Sequence, residues 1–479
     1  MSAYGGRARR AVGAAVKASR RLSILLLLPL LTGCSHGAQP NILFLLVDTL
    51  RADRLGVYGS QRGLTPFLDT LAERGVVFRN AYAQSSWTDP SIASLFTSRY
   101  QSQHQVISFG SVLREEEVTF TEVLRQHGYA TAAFSANFLL AAKNGFAQGF
   151  DHFQTFAAPA TDAQGRPTFG KERAARIDRE ALTWLDQRAR GDSAPVFLYL
   201  HYMEPHNPYA PEPQFLQHVL GARARPDQAA VNTRMTMPNV GVFSDEMAQG
   251  VTDYYDAEVM SLDAALRQLF TDLESRGVLE RTVVVIAADH GEELRDHGLM
   301  GHGQTLFEEV IRVPLIMLIP GQTTRVDVAT PVSLVDVGPT LLDLAGIAAP
   351  PSFEGHSLRP FMGLPARWSG AGESQPSGTP VAYSELIKDD LERLVPHERA
   401  VVTASSKLIA GTDGEREFYN LAADPHETNA SALGEEARAF LSGSLARFAA
   451  HVTQPAAPAA TLQLDPETRE RMRALGYHQ

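Results

Sequence analysis

The stretch Asn41-Ile42-Leu43-Phe44-Leu45-Leu46-Val47-Asp48 constrains the fold more than any other part of the chain. Its unbroken apolar run is the pattern of a strand buried on both faces of a parallel sheet. The carboxylate that ends it then lies at the strand's carboxyl edge, where open α/β sheets bind their ligands. A second strand-like run, Arg281 to Ala288, ends in the same way in Asp289 and continues into His290-Gly291-Glu292.

Helix and strand patterns alternate around these two runs. Residues 65 to 74 read as a helix, 76 to 82 as a strand, and Thr88 opens the next helix. Thr119 to His127 reads as helix, Tyr129 to Ser135 as strand, Glu172 to Arg190 as amphipathic helix and Pro195 to Tyr202 as another buried strand. Asp245 to Arg276 reads as one long helix or a pair, Val313 to Ile319 as a strand and Val335 to Ala345 as a helix. Two stretches lack a period: 155 to 170, expected to be a polar loop, and 210 to 243, expected to be a long excursion that covers the site as a lid. The alternation predicts an α/β fold, with a large, mostly parallel, doubly wound sheet and helices on both faces. Residues 34 to 365 would form this domain. A Ser-, Gly- and Pro-rich linker is expected at 366 to 380, followed by a small C-terminal α+β subdomain at 381 to 479. Its short strands are expected at Val381 to Glu385, Arg399 to Thr403, Lys407 to Ile409 and Glu417 to Leu421, with a helix at 433 to 450.

The N-terminus carries six cations between Arg7 and Arg21, then an apolar run from Leu22 to Leu31 that is too short to span a bilayer as a mature helix. Residues 1 to 33 therefore read as a signal peptide. Leu31-Thr32-Gly33-Cys34 is similar to the bacterial lipobox, which implies an exported lipoprotein held through a lipidated Cys34 at the periplasmic face of a membrane or at the cell surface. Loss of those six cations with no acid takes the formal charge from −11 to six lower, −17. Nucleic acid is thus excluded as a partner for want of a basic face, and an anionic substrate must be met by local positive charge or by metal. Cys34 is the only cysteine, so the mature chain forms no internal disulfide.

Asp48, Asp289 and His290 can converge at one sheet edge, with the Thr88 hydroxyl as a fourth ligand. Two carboxylates, an imidazole and an alkoxide suit one divalent metal ion, zinc or manganese ahead of calcium or magnesium. Such an ion lowers the pKa of a coordinated hydroxyl and offsets the charge of an anionic ester. Thr88 itself reads either as a helix cap or as a nucleophile placed at a helix N-terminus. His206, in the Pro-rich loop after a strand, and His302, in Gly301-His302-Gly303, are candidates to bind the transferring group or to protonate a leaving group. His201 and His104 stand evenly between packing and site.

These motifs, in order, resemble the sulfatases of the alkaline phosphatase superfamily. The resemblance is carried by Asn41 to Asp53, Thr88-Asp89-Pro90-Ser91, Glu204-Pro205-His206, Tyr255-Asp256-Ala257-Glu258, Ala288 to Glu292, Gly301-His302-Gly303, Ile311-Arg312-Val313-Pro314 and Phe418 to Asn429. It implies Asp48, Asp289 and His290 as metal ligands, Thr88 at the nucleophile position, and His206 and His302 around a bound sulfate or phosphate. The chain departs from the family where sulfatases carry a Cys or Ser that becomes formylglycine. Thr88 cannot yield an aldehyde, Ile92 stands where an Arg is expected, and the double Asp of the first strand end is Asp48-Thr49. A threonine nucleophile is similar instead to the phosphoethanolamine transferases and threonine-type phosphodiesterases of the superfamily. The function implied is attack on a phosphate or sulfate ester, of a glycan or of a lipid headgroup, with phosphorus favoured over sulfur. The alternatives are a sulfuric ester hydrolase acting without formylglycine, and a catalytically degenerate glycan- or anion-binding protein.

Overall fold

The run from Asn41 to Val47 forms the strand that its apolar continuity predicts, and all seven side chains are buried. Successive side chains on a strand point to opposite faces, so a wholly buried strand needs cover on both sides. The computed structural model describes residues 39–479 apart from 157, 162–166, 190–192, 236–242, 366–367, 369–377, 389–396, 413, 431–432, 453–458, 464–465, 467–468 and 470–479. The expected signal peptide, Cys34 and most of the expected linker lie outside the described residues.

The main sheet has eight strands: β1 (Asn41–Val47), β2 (Val76–Phe78), β3 (Ala130–Ser135), β4 (His152–Thr155), β5 (Val196–Tyr202), β6 (Thr282–Ala288), β7 (Leu315–Leu318) and β8 (Val326–Val328). Their spatial order is β8-β2-β7-β6-β1-β5-β3-β4. β1 pairs in parallel with β5 on one side and β6 on the other, and β3 continues the parallel run to β4. β7 is antiparallel to both of its neighbours, β6 and β2. The chain leaves β6 at the carboxyl edge and returns from that edge without a long helical crossover, so β7 must run back the other way.

The principal helices around the sheet are α1 (Pro66–Ala72), α2 (Thr88–Thr97), α3 (Phe120–Gln126), α4 (Ala174–Arg188), α5 (Asp245–Ser275) and α6 (Val337–Leu344). α5 is a single helix, opened by Ser244, whose side chain accepts from Met247 N–H. Three expectations need correction. Residues 76 to 82 hold two strands, Val76–Phe78 and Ala81–Tyr82, which join different sheets. The expected polar loop at 155 to 170 instead contains the antiparallel pair Ala158–Thr161 and Pro167–Gly170 beside the end of β4. The expected excursion at 210 to 243 contains helices Pro213–Leu220 and Gln228–Met235. These helices bury Leu216, Leu220, Val231 and Met235 in the main core, and Arg223 clamps Asp253 of α5 at 2.6 Å.

Beyond residue 380, β9 (Ala382–Leu386), β10 (Glu398–Val402), β11 (Lys407–Gly411) and β12 (Arg416–Tyr419) form an antiparallel sheet in chain order, followed by α7 (Glu435–Val452). Its alternation sorts its two faces. Ala400, Val402 and Ile409 pack in one cluster with Tyr82, Trp87 and Leu306, whereas Val401 and Leu408 pack with Leu441, Leu445 and Phe448 of α7. The C-terminal sheet therefore lies against Trp87, the residue before Thr88. Glu385 N donates to Gln84 O at 2.8 Å and fixes that seam.

Candidate active site

β1 and β6 lie side by side with Val47 opposite Ala288, so the next residue of each, Asp48 and Asp289, emerges at the same point of the carboxyl edge. Asp48, Asp289 and His290 are wholly buried, and one ligand atom from each lies within 4.8 Å of the others. His290 Nε2 is 3.8 Å from Asp48 Oδ1 and 3.4 Å from Asp289 Oδ2. Thr88 Oγ1 is 3.3 Å from the same nitrogen.

Each carboxylate is gripped by one oxygen and bare at the other. Asp48 Oδ2 accepts from Asn137 Nδ2 at 2.9 Å and lies 3.1 Å from His201 Nε2. Asp289 Oδ1 accepts from the backbone N–H groups of His290 at 2.9 Å and Thr49 at 3.3 Å. Asp48 Oδ1 and Asp289 Oδ2 are buried with no hydrogen-bond partner among the described residues. His290 Nδ1 lies 2.9 Å from the Gly291 carbonyl oxygen. A carbonyl can only accept, so Nδ1 carries the proton and Nε2 presents its lone pair. Two bare buried oxygens, that lone pair and the Thr88 hydroxyl fit a divalent cation, since buried polar atoms are otherwise costly to leave unpaired.

The electrostatics make the same demand. Burial, then the charge of Asp48, pushes the Asp289 carboxyl well above the carboxylate range. Burial would raise Asp48 too, but the hydrogen bond from His201 holds it below that range. Asp89, beside Thr88, is a further buried carboxylate whose oxygens meet no partner among the described residues, and burial with the charges of Asp48 and Asp289 pushes it up to about 7. Negative charge is crowded here, and a cation relieves it.

The surrounding elements hold these groups still. Trp87 is the cap of α2 and Thr88 its first helical residue, so the Thr88 hydroxyl makes no capping bond. Ser91 Oγ donates to Asp289 O at 2.6 Å and ties the first turn of α2 to the end of β6. Thr49 takes a left-handed backbone, φ 59°, and Tyr255 of α5 donates to its carbonyl at 2.7 Å. Arg51 donates to Glu292 O at 3.1 Å while its guanidinium pairs with Asp53 and Asp296, which joins the β1 loop to the loop after His290.

His302 and His206 complete a row of rings. The His302 ring centroid is 4.6 Å from that of His290 and 5.1 Å from that of His206. His302 Nδ1 lies 3.0 Å from Glu292 Oε1, whose carboxyl burial pushes up to about 7. His206 Nδ1 donates to Asn207 O, Lys171 Nζ donates to His206 O at 2.7 Å, and burial lowers the His206 ring to about 4, so that it is neutral near pH 7. Of the two evenly balanced histidines, His201 stands behind Asp48. His104 is not brought to the site: its Nε2 lies 2.9 Å from Ser94 Oγ, where it braces α2. Ile92 is wholly buried in the main core. Sequence reasoning left Asn137 and Glu292 without roles. Asn137 follows β3 by two residues, so the strand-end logic applied to Asp48 would have found it. Glu292 stood within the Asp-His-Gly-Glu motif, but its partner His302 shows only in the folded chain.

A mostly parallel α/β sheet with an acid, acid, imidazole and hydroxyl cluster at its carboxyl edge defines a hydrolase able to hold a divalent metal. The Sulfatase family model matches residues 40–347, and the model described as N-sulphoglucosamine sulphohydrolase, C-terminal, matches residues 296–447. The chain belongs to the sulfatase family and is an ester hydrolase of the sulfate or phosphate class. It is 27% identical over 412 residues to the ulvan-active sulfatase of Formosa agariphila, covering 82% of this chain and 76% of that one. In fold it is similar to a protein solved in complex with its substrate D-glucosamine-2-N,6-O-disulfate, with TM-score 0.69 and 22% identity over 86% of this chain and 98% of the other. It is similar in the same way to the phosphonate monoester hydrolase of Agrobacterium radiobacter, with TM-score 0.69 and 20% identity over 86% and 95% of the two chains.

Proposed function

We propose that the protein cleaves a phosphate or sulfate ester of a glycan by attack of the Thr88 hydroxyl, and that Asp48, Asp289, His290 and Thr88 hold one divalent metal ion. The observation that carries this reading is the meeting of Thr88 Oγ1 with His290 Nε2 at 3.3 Å beside the two bare carboxylate oxygens. A divalent cation in that donor set, zinc or manganese by its mixed hardness, would lower the pKa of the hydroxyl and offset the charge of the ester. Thr88 Oγ gives up its proton to solvent water and bonds to phosphorus or sulfur as the bond to the leaving alcohol oxygen breaks. His302, backed by Glu292, supplies the proton to that oxygen, and the neutral His206 ring donates no charge but orients the transferring group. Water, or an acceptor alcohol, then releases the group from Thr88. The glycan assignment draws on the ulvan-active sulfatase and on the disulfated glucosamine bound by the structural neighbour.

The test compares wild type and Thr88→Ala on aryl phosphate, phosphodiester and sulfate esters with metal supplied. Turnover should fall about a thousandfold or more; equal rates would remove Thr88 from the nucleophile role. The proposal extends to export and lipidation at Cys34. Cys34→Ser should move the protein from the membrane fraction to the soluble fraction and abolish incorporation of labelled palmitate. Unchanged retention would overturn the anchor.

A further inference from the structure

An anionic ester brought to a chain of net charge −11, among the carboxylates of Asp48, Asp89 and Asp289, needs a cation from the protein as well as one from metal. Two buried cations near the site are Arg51 and Lys171. Arg51 is bound to Asp53 and Asp296, and Lys171 lies 3.0 Å from Glu258 while donating to His206 O. Ile92 offers no charge. Lys388 is a third buried cation near the site. It follows β9 by two residues, is only 9% exposed, and stands with its ammonium 5.3 Å from the Trp87 ring centroid and 5.8 Å from that of Phe109.

Those neighbours locate the ammonium. Trp87 precedes Thr88, and a Cβ on Gly303, the residue after His302, would lie 3.0 Å from Lys388 Nζ and 3.3 Å from Trp87 Cβ. The Lys388 charge therefore lies between the neighbours of Thr88 and His302. Trp87 Nε1 is also buried and meets no acceptor among the described residues, so the same corner holds a second N–H donor. The bare backbone of Gly303 is what leaves room for the lysine.

We infer that Lys388, carried by the C-terminal sheet, binds the oxyanion oxygens of the sulfate or phosphate group presented to Thr88. Trp87, Phe109 and Gly303 form its cradle. The C-terminal sheet thus completes the site instead of merely covering it. The inference rests on the proposed function only for the class of anion, and direct binding separates the two. Inorganic phosphate and inorganic sulfate are titrated calorimetrically at pH 7 into the zinc-loaded full chain as wild type, Lys388→Ala, Lys388→Gln and Lys388→Arg, with zinc affinity measured in parallel.

Loss of a charge-assisted hydrogen bond should weaken anion binding about tenfold to a hundredfold in Lys388→Ala and Lys388→Gln, leave it within a few-fold in Lys388→Arg, and leave zinc affinity unchanged. Unchanged anion affinity in both neutral variants, parallel loss of zinc binding, or failure of the wild type to bind either anion would overturn the inference. A wild type that binds phosphate through Lys388 yet cleaves no ester would defeat the proposed function and leave the inference standing.

Discussion

His297 sits between the two motifs that build the site and carries a charge that can be followed by pH. Its Nδ1 lies 2.6 Å from Glu309 Oε1, its Nε2 lies 3.2 Å from Glu427 O, and its ring stacks on Phe307 at 3.7 Å. Both acceptors call for protons, so the ring is an imidazolium. Burial alone would lower its pKa, but the hydrogen bond and charge of Glu309 raise it to about 9. The folded value lies above the unfolded value of about 6.5, so the stabilisation is complete below pH 6.5 and is lost as pH rises through about 9. Thermal unfolding of wild type and His297→Gln between pH 6 and 9.5 should show a stability gap that narrows with pH. A gap constant over that range would mean that packing on Phe307, and not charge, holds the residue.

Between elements, the decisive contact is the close approach of the loop after β6 to residues 309–310. Gly291 N donates to Val310 O at 2.7 Å, and a Cβ on Gly291 would overlap the Glu309 carbonyl oxygen. Two backbones this close admit only glycine. His290 Nδ1 leans on the Gly291 carbonyl, so displacement of the loop also turns the imidazole whose Nε2 faces the carboxylates. Gly291→Ala should therefore cost about 1–3 kcal/mol of stability and weaken zinc binding about tenfold or more. Melting and calorimetric titration of the same preparation measure both. A destabilised variant with wild-type zinc affinity would show that His290 is oriented by something other than this loop.

Across the whole molecule, the C-terminal sheet is locked to the site by a buried lysine. Lys407 at the start of β11 is wholly buried, with Nζ 2.8 Å from Glu427 and 3.2 Å from Glu308. Removal of one partner from a buried ion cluster strands the others, so Lys407→Ala should lose about 3–5 kcal/mol in chemical denaturation. A loss within experimental error would mean that apolar packing alone docks the sheet. The same separation between local and long-range information runs through the chain. The apolar runs ending in Asp48 and Asp289 were enough to place both acids at one edge, because a parallel sheet brings its carboxyl ends together whatever the intervening chain does. The ordered motifs named Thr88, His206 and His302 as candidates beside them, and the folded chain brings Thr88 to His290 and sets the rings of His290, His302 and His206 in a row. Helices of eight residues at Pro213–Leu220 and Gln228–Met235 were not legible, being too short for a period to stand out. The sequence by itself determined the parallel centre of the sheet and the meeting of Asp48 and Asp289 at its edge, since both follow from local pattern and strand direction. Only the tertiary structure decided that β7 runs backwards, that Asn137 and His201 hold one oxygen of Asp48, that Glu292 backs His302, and that Lys388 reaches Trp87. Each of those contacts joins segments distant in sequence or set by a turn, and a residue's own neighbours carry no record of what folds against it.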